Sequence, residues 1–152
     1  MLKVRDVMTT DVISVKDDMS VKKLAEVLFE NRINGVPVMD KDNCLIGVVT
    51  ERDIIDQTKK FHIPTVITFL DSVFMFDKGK KVEKEIQKMT GTTVQDICTK
   101  DPVTLSPDTG LDEAATVMAD KMVYTLPVIE DGNLVGIIGK HDILKSITKA
   151  YQ

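Results

Sequence analysis

Residues Val12 to Val15 alternate apolar and polar side chains, the period of a short half-buried strand. The period then lengthens. Val21, Leu24, Ala25 and Leu28 recur at i, i+3, i+4 and i+7, which predicts an amphipathic helix. Two apolar runs follow, Val36 to Met39 and Leu45 to Val49. Asp40, Lys41, Asp42 and Asn43 separate them, so the pair predicts a hairpin. A second helix is expected from near Glu51. The element order is β-α-β-β-α, with helices on one side of a small sheet.

The same order returns later in the chain. Val103 to Leu105 reads as the short strand, and Leu111, Ala114, Ala115 and Met118 carry the helical stripe. Thr109 followed by Asp112 predicts a capping signal for that helix. Leu126 to Ile129 and Leu134 to Ile138 flank a turn at Asp131-Gly132-Asn133, and a last helix starts near Lys140. A single offset aligns Asp6 with Asp96, Asp11 with Asp101, Ala25 with Ala115, Pro37 with Pro127 and Val38 with Val128. One extra residue near Cys44 then shortens the offset by one, for Gly47 with Gly136 and Asp53 with Asp142. Two related units on one chain can pack about a pseudo-twofold axis, leaving clefts between them. A unit of about fifty residues is marginal for a lone core, and pairing lets each bury the other's sheet. The expected class is α+β, with repeats over 1–60 and 92–152 and an insert over 61–91.

Within the insert, Ile63, Val66, Ile67 and Leu70 have helical spacing, with Pro64 in the first turn, where it is tolerated. Val73 to Phe76 is a short apolar run, Lys78-Gly79 turns the chain, and Val82, Ile86 and Met89 mark a second helix. Phe61, Phe69, Phe74 and Phe76 make this stretch too apolar for a tether. Two readings stand side by side: it caps the core of its own chain, or it forms part of a dimer interface.

Composition removes whole classes of function. At 43% hydrophobic and 29% charged residues the chain is an ordinary globular protein. A net charge of −4 argues against a broad nucleic-acid face, and the run Lys78, Lys80, Lys81, Lys84, Lys88 reads as a solvated helix face. No apolar run approaches the ~20 residues of a membrane span. Charges at Lys3 and Arg5, with no long apolar core after them, do not resemble a signal peptide. Cys44 and Cys98 are too few and too far apart for a disulfide framework or a metal site, which points to the reducing cytoplasm. His62 and His141 cannot make a His-rich metal cluster. A Gly-rich phosphate loop, a nucleophile elbow and an HExxH motif are all missing, so no catalysis is expected.

The repeated motifs carry a resemblance. The junctions GVVTERDII (Gly47 to Ile55) and GIIGKHDIL (Gly136 to Leu144), the tetrapeptides GVPV and TLPV, and the leading VRDVMTTDVISV each resemble the CBS domain, named after cystathionine β-synthase. Apart from the insert, the whole chain resembles a tandem CBS pair. The resemblance implies a cleft between the repeats that binds an adenosine-containing ligand such as AMP, ADP, ATP or S-adenosylmethionine. It implies a non-catalytic regulatory module whose ligand biases an attached or associated protein. It also implies homodimers, commonly stacked face to face into a disc. The alternative is a dimerising scaffold whose clefts stay empty.

Thr50-Glu51-Arg52-Asp53 falls where a strand becomes a helix, and it has two readings. One is a capping box, with Thr50 capping the helix and Asp53 reaching back to the Thr50 amide. The other is ribose recognition, in which a carboxylate accepts hydrogen bonds from both vicinal hydroxyls. In the second repeat Gly139 replaces the threonine while Asp142 remains, which favours ribose binding. It also predicts unequal sites, the better one at Thr50 and Asp53, since one hydrogen bond is worth ~0.5–3 kcal/mol. By resemblance, Ile13 and Val103 face the base, and Ile33-Asn34-Gly35 and Val123-Tyr124-Thr125 supply main-chain contacts. Plain core packing is the alternative for Ile13, Val103, Ile33 and Val123. Tyr124 either stacks on a base or is structural. Arg52 and His141 are the first candidates for a phosphate, with Lys140 and Arg32 behind them. Some AMP-sensing family members carry a basic residue where this chain has Gly35 and Thr125. That departure weighs against a polyphosphate and leaves adenosine, AMP and S-adenosylmethionine open.

Overall fold

A computed structural model describes residues 1–59 and 92–150 of the chain. The expectations for the insert, its two helices, its extended run and its lysine face, lie outside the described residues.

The first repeat runs α1 (Val4–Val7), β1 (Val15–Lys16), α2 (Val21–Asn31), β2 (Gly35–Met39), β3 (Leu45–Thr50) and α3 (Glu51–Lys59). The second runs α4 (Val94–Ile97), β4 (Thr99–Lys100), α5 (Leu111–Lys121), β5 (Thr125–Glu130), β6 (Asn133–Gly139) and α6 (Lys140–Ala150). The stripe on α2 buries Val21, Leu24 and Leu28, and that on α5 buries Ala114 and Met118. Ser20 starts α2, its hydroxyl accepting from the Lys23 amide at 3.1 Å. Both long helices of this kind stop on a left-handed residue, Arg32 at φ 52° and Met122 at φ 53°.

Three expectations shift. The strand over Val12–Val15 gives way to β1, which shares only Val15 with it, because only Val15 and Lys16 pair with β2, opposite Val38 and Met39. Val103–Leu105 is reduced to one parallel bridge from Leu105 to Val128, and the paired strand lies earlier, at β4. Gly110, not Thr109, is the N-cap of α5, and it has no side chain to offer.

The two repeats interlock through their leading segments. β2 and β3 pair antiparallel, as do β5 and β6. β4 of the second repeat then adds to the free edge of β3, with Lys100 opposite Gly47 and Thr99 opposite Val48. In the mirror position Thr9 of the first repeat bridges Ile137 on β6, with amide-to-carbonyl bonds of 2.9 Å in both directions. The short helices cross as well. The Val4 amide donates to Thr109 O at 2.9 Å and the Arg5 amide to Pro107 O at 3.0 Å. Their counterparts, the Val94 and Gln95 amides, donate to Met19 O at 2.8 Å and Asp17 O at 2.9 Å. Each core therefore contains a valine from the other repeat. Val94 is buried with Leu24, Leu28, Val36, Val38 and Val49. Val4 is buried with Ala114, Met118, Leu126, Val128 and Ile138. The first leader is additionally held by Arg5, whose guanidinium bonds Asp108 at 2.9 Å. That pair is exposed, so it contributes within about 0–1 kcal/mol.

Candidate functional site: two clefts between the repeats

The start of each C-terminal helix is closed by a carboxylate. Asp53 Oδ2 accepts from the Thr50 amide at 2.9 Å and the Thr50 hydroxyl at 3.2 Å, and the Asp53 amide faces Thr50 Oγ1 at 3.4 Å. That is a full capping box. Asp142 Oδ2 accepts from the Gly139 amide at 2.7 Å, which is half of one. So Asp142 survives the loss of the threonine hydroxyl with a structural task of its own. The capping and ribose readings are compatible, because every bond that the two carboxylates accept ends on Oδ2. Among the described residues, Oδ1 of each aspartate accepts none, and a carboxylate has acceptor sites on both oxygens. Burial pushes the Asp53 carboxyl above its ordinary range, while the Thr50 amide and hydroxyl pull it back down.

Each aspartate opens onto a cleft whose opposite wall comes from the other repeat. The Asp53 cleft, of about 600 Å³, joins Thr50, Arg52 and Asp53 to Asp101, Val103, Val123, Tyr124 and Thr125. Val48 and Leu126 supply apolar floor. The Asp142 cleft, of about 240 Å³, joins Gly139, His141 and Asp142 to Asp11, Ile13, Arg32, Ile33 and Gly35. The first volume lies within the usual span of small-molecule sites and the second just below it. Asn34, Tyr124, Thr125 and Lys140 line both clefts. Lys140 Nζ stands 5.9 Å from the centre of the Tyr124 ring. The clefts meet closely there, since a Cβ on Gly35 would lie 2.8 Å from Thr125 Oγ1.

Every residue singled out from the sequence as a ligand contact thus lines one cleft or the other. Sorting them by repeat was less direct, because a cleft takes its aspartate from one repeat and its Ile13 or Val103 from the other. Ile13 and Tyr124 are exposed, and Ile33, Val103 and Val123 half-buried, so none of the five is fully enclosed in the core. Asp11, Asp101, Thr9, Thr99 and Lys121 also line the clefts and were not anticipated. The Asp11–Asp101 pair was visible as an alignment mark, but nothing local reveals that it faces a cleft. Among the described residues no cluster of three His, Cys, Asp or Glu side chains suits a metal ion. Among them too, no helix is long and apolar enough to cross a membrane.

Comparison with known proteins fits this architecture. The CBS domain matches residues 4–60 and 94–149. An uncharacterized protein of Methanocaldococcus jannaschii is 25% identical, over 95% of this chain and 90% of its own. The chloroplastic CBS domain-containing protein CBSX1 of Arabidopsis thaliana is 32% identical over 90% of this chain, which spans 59% of that protein. Inosine-5'-monophosphate dehydrogenase of M. jannaschii is 31% identical, but this chain corresponds to only 23% of it. Among solved structures, CBSX2 in complex with AMP covers 100% of both chains at a TM-score of 0.74 and 26% identity. The CBS domain pair of MJ0100, in complex with 5'-methylthioadenosine and S-adenosylmethionine, shares the fold at a TM-score of 0.71 and 20% identity. With both repeats matched and interlocked as a pair, the chain belongs to the CBS-domain family.

Proposed function

We propose that this chain is a regulatory module that binds an adenosine-containing ligand in the clefts between its repeats and passes the bound state on to a partner protein. One observation carries the reading: each cleft is lined by an aspartate whose Oδ2 is fixed on its own helix start while Oδ1, which accepts no bond among the described residues, can accept from a ribose. The apolar surfaces of Val48, Val103 and Val123 in one cleft, and of Ile13, Ile33 and Ile137 in the other, suit a flat base. AMP in the related CBSX2 supports the same ligand class. A ligand present at a hundredfold excess over its Kd adds about 2.7 kcal/mol to native stability. For a chain of this size that raises Tm by about 5–11 °C. Thermal unfolding with adenosine, AMP, ADP, ATP and S-adenosylmethionine tests this, and no shift at millimolar concentration from any of them overturns it.

The regulatory reading includes a homodimer. Ile55 on α3 is 53% exposed, and Leu144, its counterpart on α6, is 56% exposed. Ile147 extends the second patch. Equivalent exposed apolar side chains on the two repeats fit a twofold contact with a second copy of the chain. The wild type is expected to elute as a dimer on sizing and the Ile55→Glu, Leu144→Glu double variant as a monomer. A monomeric wild type discards the idea.

A further inference from the structure

We infer that the two clefts are negatively coupled: Tyr124 and Lys140 form one shared wall, and a nucleoside that settles against it in one cleft weakens binding in the other. The inference rests on the nucleoside reading above and adds how the two sites regulate each other.

The wall is thin, and its large members come from one repeat. Asn34, Tyr124, Thr125 and Lys140 line both clefts. Gly35 on β2 and Thr125 on β5 approach so closely that no further side chain fits between them. The counterparts of Tyr124 and Lys140 in the first repeat are Asn34 and Glu51. The backbone link is the same in both repeats: the Lys140 amide donates to Tyr124 O at 3.2 Å, and the Glu51 amide to Asn34 O at 2.8 Å. A symmetric pair would give each cleft its own ring. Here Tyr124 is the one Phe, Tyr or Trp side chain on either cleft among the described residues, and it stands on both.

One ring cannot serve two bases on equal terms. It has two faces, and Lys140 Nζ stands over it, so a cation already competes for one of them. Tyr124 is 46% exposed and Lys140 is exposed, so packing does not lock either, and both can turn toward an occupant. A base stacked on the ring from one cleft fixes its rotamer there and withdraws it from the other cleft. The second nucleoside then binds without the stack, or turns the ring back at the expense of the first. Linkage makes the penalty the same in both directions. Loss of one such ring contact corresponds to about threefold to tenfold in affinity.

Calorimetry with adenosine on the full chain tests this. Asp53→Ala and Asp142→Ala each leave one cleft intact, and each variant is expected to bind one adenosine, which also shows that it folds. Should an alanine variant fail to fold, the asparagine variant, which keeps an acceptor for the helix start, replaces it. The wild type is expected to bind two, the second about threefold to tenfold more weakly than the single-cleft variants predict for independent sites. Tyr124→Ala in all three backgrounds should weaken both clefts and make them independent. Lys140→Gln, which keeps the ring and clears the face under the ammonium, should shrink the coupling, and it decides if Tyr124→Ala binds too weakly to read. Three results overturn the inference and leave the nucleoside reading standing: a second adenosine bound as tightly as independent sites predict or tighter, a folded single-cleft variant that binds nothing while the wild type binds, or coupling indifferent to both substitutions in the wall. If adenosine binds neither the wild type nor any variant, the nucleoside reading itself fails and the coupling falls with it.

Discussion

Asp53 and Asp142 show how one side chain answers two demands. Their Oδ2 atoms hold the turn from strand to helix, and the turn in turn aims the carboxyl at the cleft. The difference between the repeats is the missing hydroxyl at Gly139. A Cβ there meets Tyr124 O at 3.5 Å and Asp142 Oδ2 at 3.8 Å, ordinary contact distances, and the backbone is not left-handed. Gly139→Thr should therefore complete the second capping box. A threonine in place of glycine at an N-cap changes stability by only a few tenths of a kcal/mol, so the expected gain in urea denaturation is about that size. The larger effect is expected in adenosine affinity of the Asp142 cleft, read by calorimetry. A clash that lowers stability by more than about 1 kcal/mol would contradict the free space around Gly139. The sequence made the Thr50–Asp53 box legible because a capping box is local. It hid the box's half-survival at Asp142, since an aspartate alone has no spacing partner to reveal it.

At the scale of elements, the long helices and the hairpins were legible because their periods, 3.6 and 2, are written over many residues. The leaders were not. α1 and α4 are each four residues long, too short to show a period, and their hydrogen bonds run to the other repeat. β4 is two exposed residues and belongs to a sheet only because β3 lies beside it. What the sequence did carry was the glycine at each crossing. A Cβ on Gly47 would sit 2.6 Å from Thr99 O, a backbone atom held in the β3–β4 ladder. A Cβ on Gly136 would sit 2.6 Å from Met8 Sδ, the end of a flexible side chain, and 3.1 Å from Thr9 O. Gly47→Ala is expected to cost about 1–3 kcal/mol. Gly136→Ala should cost less, because methionine adapts where a carbonyl in a ladder does not. Denaturant midpoints of the two variants check the order, and the reverse order would speak against the crossing described here.

At the scale of the whole molecule, neither repeat has a complete core of its own. Val94 closes the first and Val4 the second, both fully buried. The prediction is one cooperative unfolding transition, with calorimetric and van't Hoff enthalpies in agreement. Two separable transitions would mean that the exchanged leaders contribute little. The duplication itself was plain in the sequence, while the exchange was not, because a repeat aligns with its copy whether its leader folds back or crosses over.

That exchange makes every unit both a donor and an acceptor. A polypeptide with a single unit would have a leader with nowhere to go and a core with a vacancy, each curable by a second identical molecule. The present chain is such a dimer made covalent. Its halves meet at the effective concentration set by their connection instead of the concentration of the solution. Dilution, which dissociates an assembly of separate units, cannot part these two, and the clefts between them persist however scarce the protein becomes.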